Sequence, residues 1–283
     1  MKIAITGAGG LVGQHLARSF ANNCEVRALL HTDLDITDGA AVRNWCAAER
    51  PTLIINCAVI DVDLCERDPA LAQAVNVDGP RHLATAAADI GAEILHFSTN
   101  YVFDGRAPGR VYTQSDDALP INSYGRTKLA GEQAVRAANS QSYIVRTSWV
   151  FGHGKQSFLA TLPQKLQAGE RVRAITDVWA SATYVNDLVL RVAALVAHKR
   201  YGVYHVVNSG VCSYHDYALE CARLVGLDDA GIANLIEAVS EDEARRAAER
   251  PRYTPMQCSL SAELGLPPLR DWQAALAAYV QPS

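Results

Sequence analysis

The run Lys2-Ile3-Ala4-Ile5-Thr6, followed at once by Gly7-Ala8-Gly9-Gly10-Leu11-Val12-Gly13, limits the fold more than any other part of this chain. A short apolar segment gives way to glycines and then to residues 14–20, whose apolar positions recur at helical spacing. The order is strand, tight turn, helix. Glycines at 7, 10 and 13 permit the turn, let backbone N–H groups approach a pyrophosphate and let the helix pack closely on its strand. The helix N-terminus adds positive potential at the same place. The spacing is Gly-x-x-Gly-x-x-Gly, and Val12 separates it from the Gly-x-Gly-x-x-Gly form. Gly7, Gly10, Leu11, Val12 and Gly13 are therefore the first candidates for holding a dinucleotide.

The alternation continues downstream. Residues 25–30 predict a second strand, a helix capped by Thr37 or Asp38 runs to about residue 49, and residues 53–58 predict a third strand after Pro51. A long helix over 69–90 precedes a strand over 93–97 that stops at Ser98-Thr99; a helix over 122–138 precedes a strand over 142–147. Short apolar strands alternating with helices define an α/β chain with a doubly wound parallel sheet. Further on, 157–167, 186–198, 213–224 and 272–279 read as helices, and 171–176 and 203–207 as strands. The segment 241–250 reads as a charged helix or solvated surface loop. The expected organisation is a dinucleotide-binding domain over 1–150, to which parts of 180–210 return, and a smaller C-terminal substrate lobe over 151–283.

Ligands of such sheets lie beyond the carboxyl ends of the strands. Asp35 with Ile36, Cys57 with Ala58, and Ser98 with Thr99 fall at those ends. The second strand closes in Leu29-Leu30-His31-Thr32, without the carboxylate that would bind a ribose 2′-hydroxyl and repel a 2′-phosphate. Arg27 and His31 favour NADPH without excluding NADH, and Asp35 is placed to reach the adenine instead. Tyr124 and Lys128 lie four apart in the helix over 122–138, so the phenol and the ammonium project from one face. An adjacent ammonium favours the phenolate, which predicts a tyrosine pKa below the ordinary value of about 10 and a better proton donor near neutral pH. An ordinary amphipathic helix carries such a pair by chance, so the spacing alone assigns nothing.

Composition excludes other classes. Apolar residues make up 49% and charged residues 20% of 283, and the net charge of −4 comes without a basic stripe, which argues against a nucleic-acid partner. Seven cysteines are scattered without a Cys-x-x-Cys or a metal-like Cys/His grouping, so no metal site is expected and the thiols read as core residues of a reducing compartment. No apolar run reaches the length of a membrane span, and the chain reads as cytoplasmic.

Taken together, the glycine turn, Ser98-Thr99 and Tyr124-x-x-x-Lys128 resemble the extended short-chain dehydrogenase/reductase superfamily, whose fold is Rossmann-type. Three segments are similar to dTDP-4-dehydrorhamnose reductases: Phe97-Ser98-Thr99-Asn100-Tyr101-Val102-Phe103-Asp104-Gly105, Tyr124-Gly125-Arg126-Thr127-Lys128-Leu129-Ala130-Gly131-Glu132, and Arg146-Thr147-Ser148-Trp149-Val150-Phe151-Gly152. Arg250-Pro251-Arg252 resembles an Arg-Pro element near that family's C-terminus. The resemblance implies hydride transfer from NADPH or NADH to the C4 ketone of a deoxysugar nucleotide. Tyr124 would protonate the developing alkoxide, Lys128 would hold the nicotinamide ribose, and Thr99, with Ser98 as the fallback, would hydrogen-bond the substrate oxygen. Asn100, Tyr101, Trp149 and Arg252 would meet the nucleotide sugar, and a homodimer is left open.

Asn100 stands where this family usually has Asp, the loop after Asn56 looks one residue shorter and lacks a Thr, and Asp177-Val178-Trp179-Ala180-Ser181-Ala182-Thr183 follows the family's pattern only loosely. A nucleotide-sugar 4-epimerase with tightly bound NAD would share the same glycines, Thr99, Tyr124 and Lys128. So would a non-catalytic subunit of the methionine adenosyltransferase regulatory type. A 4,6-dehydratase needs an Asp-Glu pair where this chain has Asn100-Tyr101.

Overall fold

Alternate side chains of each central strand enter two different cores. In the computed structural model, which describes residues 1–154 and 156–281, Ile3, Ile5, Leu53, Ile55, Leu95, Phe97, Tyr143 and Val145 join one cluster. Ala4, Ile54, Ile94 and Ile144 join the other. The two-residue period of a strand sends neighbours to opposite faces, and both faces are covered, so the strands are apolar throughout. Helices Leu11–Ala21 and Val185–His198 cover the first face; Gly39–Glu49, Gly79–Asp89 and Ser123–Ala138 cover the second.

The sheet has six parallel strands in the order Gly202–His205, Ser142–Thr147, Glu93–Thr99, Leu53–Asn56, Lys2–Thr6, Glu25–Leu29. Direction of winding reverses between Lys2–Thr6 and Leu53–Asn56, so the chain leaves their carboxyl ends toward opposite faces of the sheet. The doubly wound parallel architecture read from the sequence is thus the one observed. The strand Gly202–His205 returns to the edge of this sheet. Val172–Ile175 instead pairs in parallel with Ile236–Val239, a strand with no alternation marked enough to predict it.

Two segments differ from expectation. The helix over 69–90 is three pieces, Pro69–Gln73, a wider π-helical turn Ala74–Asp78, and Gly79–Asp89. Pro80 has no N–H to continue a regular ladder, and the wider turn accommodates it. The helix Ser123–Ala138 also approaches this turn so closely that a side chain at Gly131 would collide with the Asn76 carbonyl. Asn76 itself donates to Thr127 Oγ1 at 3.1 Å, a structural role that fits its burial. The segment 241–250 is mostly irregular but not simply surface. Glu241, Ala248 and Arg250 are buried, and Arg250 reaches Asp63 at 3.0 Å. The rest of the segment is exposed, as its charge suggested, and Arg250 adds a tie to the helix Val62–Arg67.

Among the described residues no helix is long and apolar enough to cross a membrane, and all seven cysteines are free.

Candidate active site

The glycine turn closes against the end of the third strand. Gly7 has φ +67°, where a side chain is strained, and a Cβ there would lie 2.6 Å from Ala58 N. A Cβ at Gly13 would lie 2.5 Å from Gly7 O, so this glycine lets the helix Leu11–Ala21 seat on the turn. Gly10 has room around it and is exposed. Its N–H bonds Gly7 O at 3.0 Å. Gly9 and Gly10 are the exposed glycines of the turn, whereas Gly7 and Gly13 are closed in against backbone.

A cavity of about 430 Å³ opens over this turn, bordered by Gly7, Gly10, His31, Asp35, Ile36 and Ala58 among others. Asp35 accepts from the Thr37 hydroxyl at 2.7 Å and the Thr37 N–H at 2.9 Å, which hold its carboxyl below the usual range. Arg27 is spent on Glu25 and Glu49 and does not border this cavity, whereas His31 does. Of the two residues read as favouring a 2′-phosphate, only His31 borders the cavity.

The same Cys57 and Ala58 border a second cavity of about 360 Å³, which makes the two cavities neighbours across the strand end. Val12, Ser98, Thr99, Asn100, Tyr101, Tyr124, Lys128 and Trp149 converge there, although they come from four separate parts of the chain. Leu11 is buried at the helix start, and Val12 alone of that pair faces this cavity.

The position of Tyr124 is set by the cap of its helix. Asn122 Oδ1 accepts from Gly125 N at 2.8 Å, Glu66 accepts from Ser123 N at 2.6 Å, and Asn122 Nδ2 donates to Glu249 O at 2.7 Å. Residues 124, 128 and 132 then stack on one face. Tyr124 meets Tyr101 edge-to-face, with centroids 5.8 Å apart. Burial pushes the Tyr124 phenol above its ordinary pKa, and the Thr99 hydroxyl opposes that by favouring the phenolate. The expectation that Lys128 would lower this pKa is not met. Desolvation outweighs it, and the ammonium points elsewhere, donating to Phe97 O at 2.6 Å beside His96 Nε2 at 3.3 Å. Burial lowers Lys128 itself from 10.5 to about 8, against a raising influence from Glu132.

One turn on, Glu132 is held by Arg146 Nε and Nη2, at 2.9 and 2.7 Å, and by the Ser98 hydroxyl. Ser98 thus borders the cavity with its hydroxyl committed to Glu132, which leaves Thr99 as the hydroxyl beside Tyr124. Asn100 is buried and donates to Thr254 Oγ1 at 2.7 Å. Its Oδ1 accepts from the Thr99 hydroxyl at 3.2 Å. Arg252 does not join the group, because Asp177 at 2.6 Å and Asp242 engage its guanidinium. Trp149 has φ +43°, an uncommon value for a bulky residue, and stacks on Tyr214 with centroids 3.9 Å apart. Tyr214 was not among the residues singled out from the sequence. It begins a helix capped by Ser213, and nothing local signals its partner 65 residues upstream. His96 and Asn56 were also missed; His96 lies within an apolar run and Asn56 ends one, so each looks like part of a strand.

A half-buried tyrosine, a hydroxyl and a lysine at the rim of a parallel sheet, beside a glycine turn at its switch point, define an oxidoreductase of the short-chain dehydrogenase/reductase class. A family profile described as RmlD substrate binding domain matches residues 1–283. The dTDP-4-dehydrorhamnose reductase of Mycolicibacterium smegmatis is 42% identical over 280 residues, covering 97% of this chain and 84% of that protein. A crystal structure of a dTDP-4-dehydrorhamnose reductase from Clostridium acetobutylicum superposes with a TM-score of 0.91 at 35% identity, covering 99% of this chain and 98% of that one. That of Bacillus anthracis, in complex with NADP, superposes with a TM-score of 0.93 at 31% identity, covering 100% of this chain and 99% of that one. The chain belongs to the dTDP-4-dehydrorhamnose reductase family.

Proposed function

We propose that this protein reduces the C4 ketone of a dTDP-linked 4-keto deoxysugar, of the dTDP-4-dehydro-L-rhamnose kind, using NADPH or NADH. The observation that carries the proposal is the convergence of Thr99, Tyr124 and Lys128 on one cavity that adjoins the crevice over Gly7–Gly13. The crevice fits a dinucleotide. A Cβ would fill the cradle at Gly7 and Gly13, Gly9 and Gly10 leave the turn open above, and Asp35 and Ile36 border the far end. The nicotinamide cofactor supplies a hydride when bound. Gly10, Val12, Cys57, Ala58 and Lys128 would hold it, and no carboxylate ends the strand Glu25–Leu29 to repel a 2′-phosphate.

Residue chemistry supplies the rest. The ketone carbon gains the hydride and its oxygen gains the Tyr124 proton, so the product is a secondary alcohol and the tyrosine is left as phenolate. A secondary alkoxide is far more basic than a phenolate, so the transfer runs downhill even from a phenol whose pKa burial has raised. The raised pKa keeps the proton in place until the alkoxide develops. Thr99 donates to the same oxygen and stabilises its growing charge. Trp149, fixed by Tyr214, and the half-buried Tyr101 offer apolar walls to the sugar.

Incubation with NADPH or NADH and a panel of dTDP-, GDP- and UDP-4-keto sugars, followed by nicotinamide absorbance, tests this reading. Cofactor consumption with a dTDP-4-keto-6-deoxysugar is expected. Interconversion of sugars without added cofactor would instead make the protein an epimerase.

A further inference from the structure

Thr6, Asn56 and His96 are direct cross-strand partners, side by side on three adjacent strands, and they form a polar row beneath the helix that carries Lys128. Asn56 and His96 have no exposed surface. The backbone fixes the direction of every bond in the row. Ala58 N–H donates to Asn56 Oδ1 at 3.0 Å, and a backbone N–H can only donate. The other amide atom facing His96 Nδ1 at 3.1 Å is therefore Nδ2, a donor, and Thr6 Oγ1 completes Oδ1 at 2.8 Å. Exchanging the amide atoms would set Nδ2 against the Ala58 N–H, donor against donor. His96 Nδ1 must accept, so a neutral imidazole carries its proton on Nε2. Burial and the nearby Lys128 keep His96 neutral. The Nε2–H then points at Lys128 Nζ, 3.3 Å away.

An ammonium has no lone pair with which to accept. We propose that His96, locked in the Nε2–H form by Asn56, is a positioning residue that favours the amine of Lys128 over the ammonium. The amine accepts from His96 Nε2–H while donating to Phe97 O; the ammonium meets Nε2–H as a second donor. Lys128 also faces Glu132 on its own helix, Cys57 beyond the third strand and Cys65 on the helix Val62–Arg67, with Tyr124 in the same cavity. Glu132 favours the ammonium, but Arg146 occupies both of its oxygens. Lys128 is then a proton-exchanging group at the catalytic rim rather than a permanent cation, and activity responds to pH through it. This last consequence rests on the reductase reading; the tautomer does not.

Two measurements test it. Long-range proton–nitrogen NMR of the 15N-histidine protein reads the tautomer without any turnover. His96 is expected to show a pyrrole-type Nε2 and a pyridine-type Nδ1; the reverse pattern, or an imidazolium, overturns the proposal whatever the enzyme does. In His96→Gln the side-chain oxygen can accept from the ammonium, so the Lys128-dependent limb of the kcat/KM profile is expected to move to higher pH, by on the order of one unit. An unmoved limb in a folded His96→Gln protein also overturns it. If Lys128→Met retains full activity, the catalytic reading fails while the NMR result still decides the tautomer.

Discussion

Arg146 grips both carboxylate oxygens of Glu132, at 2.9 and 2.7 Å, where each side chain is almost fully buried. This pair fastens the helix Ser123–Ala138 to the strand Ser142–Thr147, and the Ser98 hydroxyl adds the strand Glu93–Thr99. The element that carries Tyr124 and Lys128 is therefore fixed to the floor of the cavity by a charge pair one turn beyond them.

Neutralising one member leaves the other charge buried without a partner. Glu132→Gln is expected to lower unfolding stability by about 3–5 kcal/mol, measured by urea denaturation. Glu132→Leu combined with Arg146→Met should recover most of that loss, because the desolvation cost is removed along with the attraction.

At Gly13 the added methyl of alanine would sit 2.5 Å from Gly7 O, a backbone atom that cannot rotate away. Gly13→Ala should cost about 1–3 kcal/mol of stability and weaken NADPH binding by at least tenfold, read by fluorescence titration. Gly10→Ala, where the nearest atom is 3.4 Å away, should leave stability within about 0.5 kcal/mol of the parent.

Lys128 gives a pH dependence of defined sign. Its pKa falls from 10.5 in the unfolded chain to about 8 in the folded one, so between these values the unfolded state binds more protons. Its contribution to stability is least below pH 8 and rises as the pH climbs toward 10.5. Lys128→Met, which keeps the volume and removes the charge, is expected to be more stable at pH 7 by about 3 kcal/mol. The gain should shrink toward zero near pH 10.5, measured as the difference between the two proteins.

The legible parts were those written in local pattern. Short apolar runs at Lys2–Thr6, Leu53–Asn56 and Glu93–Thr99, separated by helices, announced the sheet, and the glycine turn announced the crevice. The four-residue spacing of Tyr124 and Lys128 put both at one cavity as expected, but burial raised the phenol's pKa where the lysine was expected to lower it, because spacing carries no information on burial. What escaped was long-range. Trp149 finds Tyr214, Asp63 finds Arg250 across 187 residues, and Arg252 is drawn off by Asp177 and Asp242. The loose match around Asp177 was visible in the sequence, but not that this carboxylate would take the arginine. His96 escaped because a histidine within an apolar strand looks like filler until Asn56 and Lys128 stand on either side of it.

Removal of a single oxygen tests the assignment of the proton donor most directly. In Tyr124→Phe the ring and its contact with Tyr101 remain, while the transferable proton is gone. Steady-state reduction of a dTDP-4-keto sugar is expected to fall by about 10²- to 10⁴-fold in kcat, with the Kd for NADPH changed less than about threefold, since the glycine turn and Ala58 are untouched. Undiminished ketone reduction by Tyr124→Phe would contradict the role given to this tyrosine.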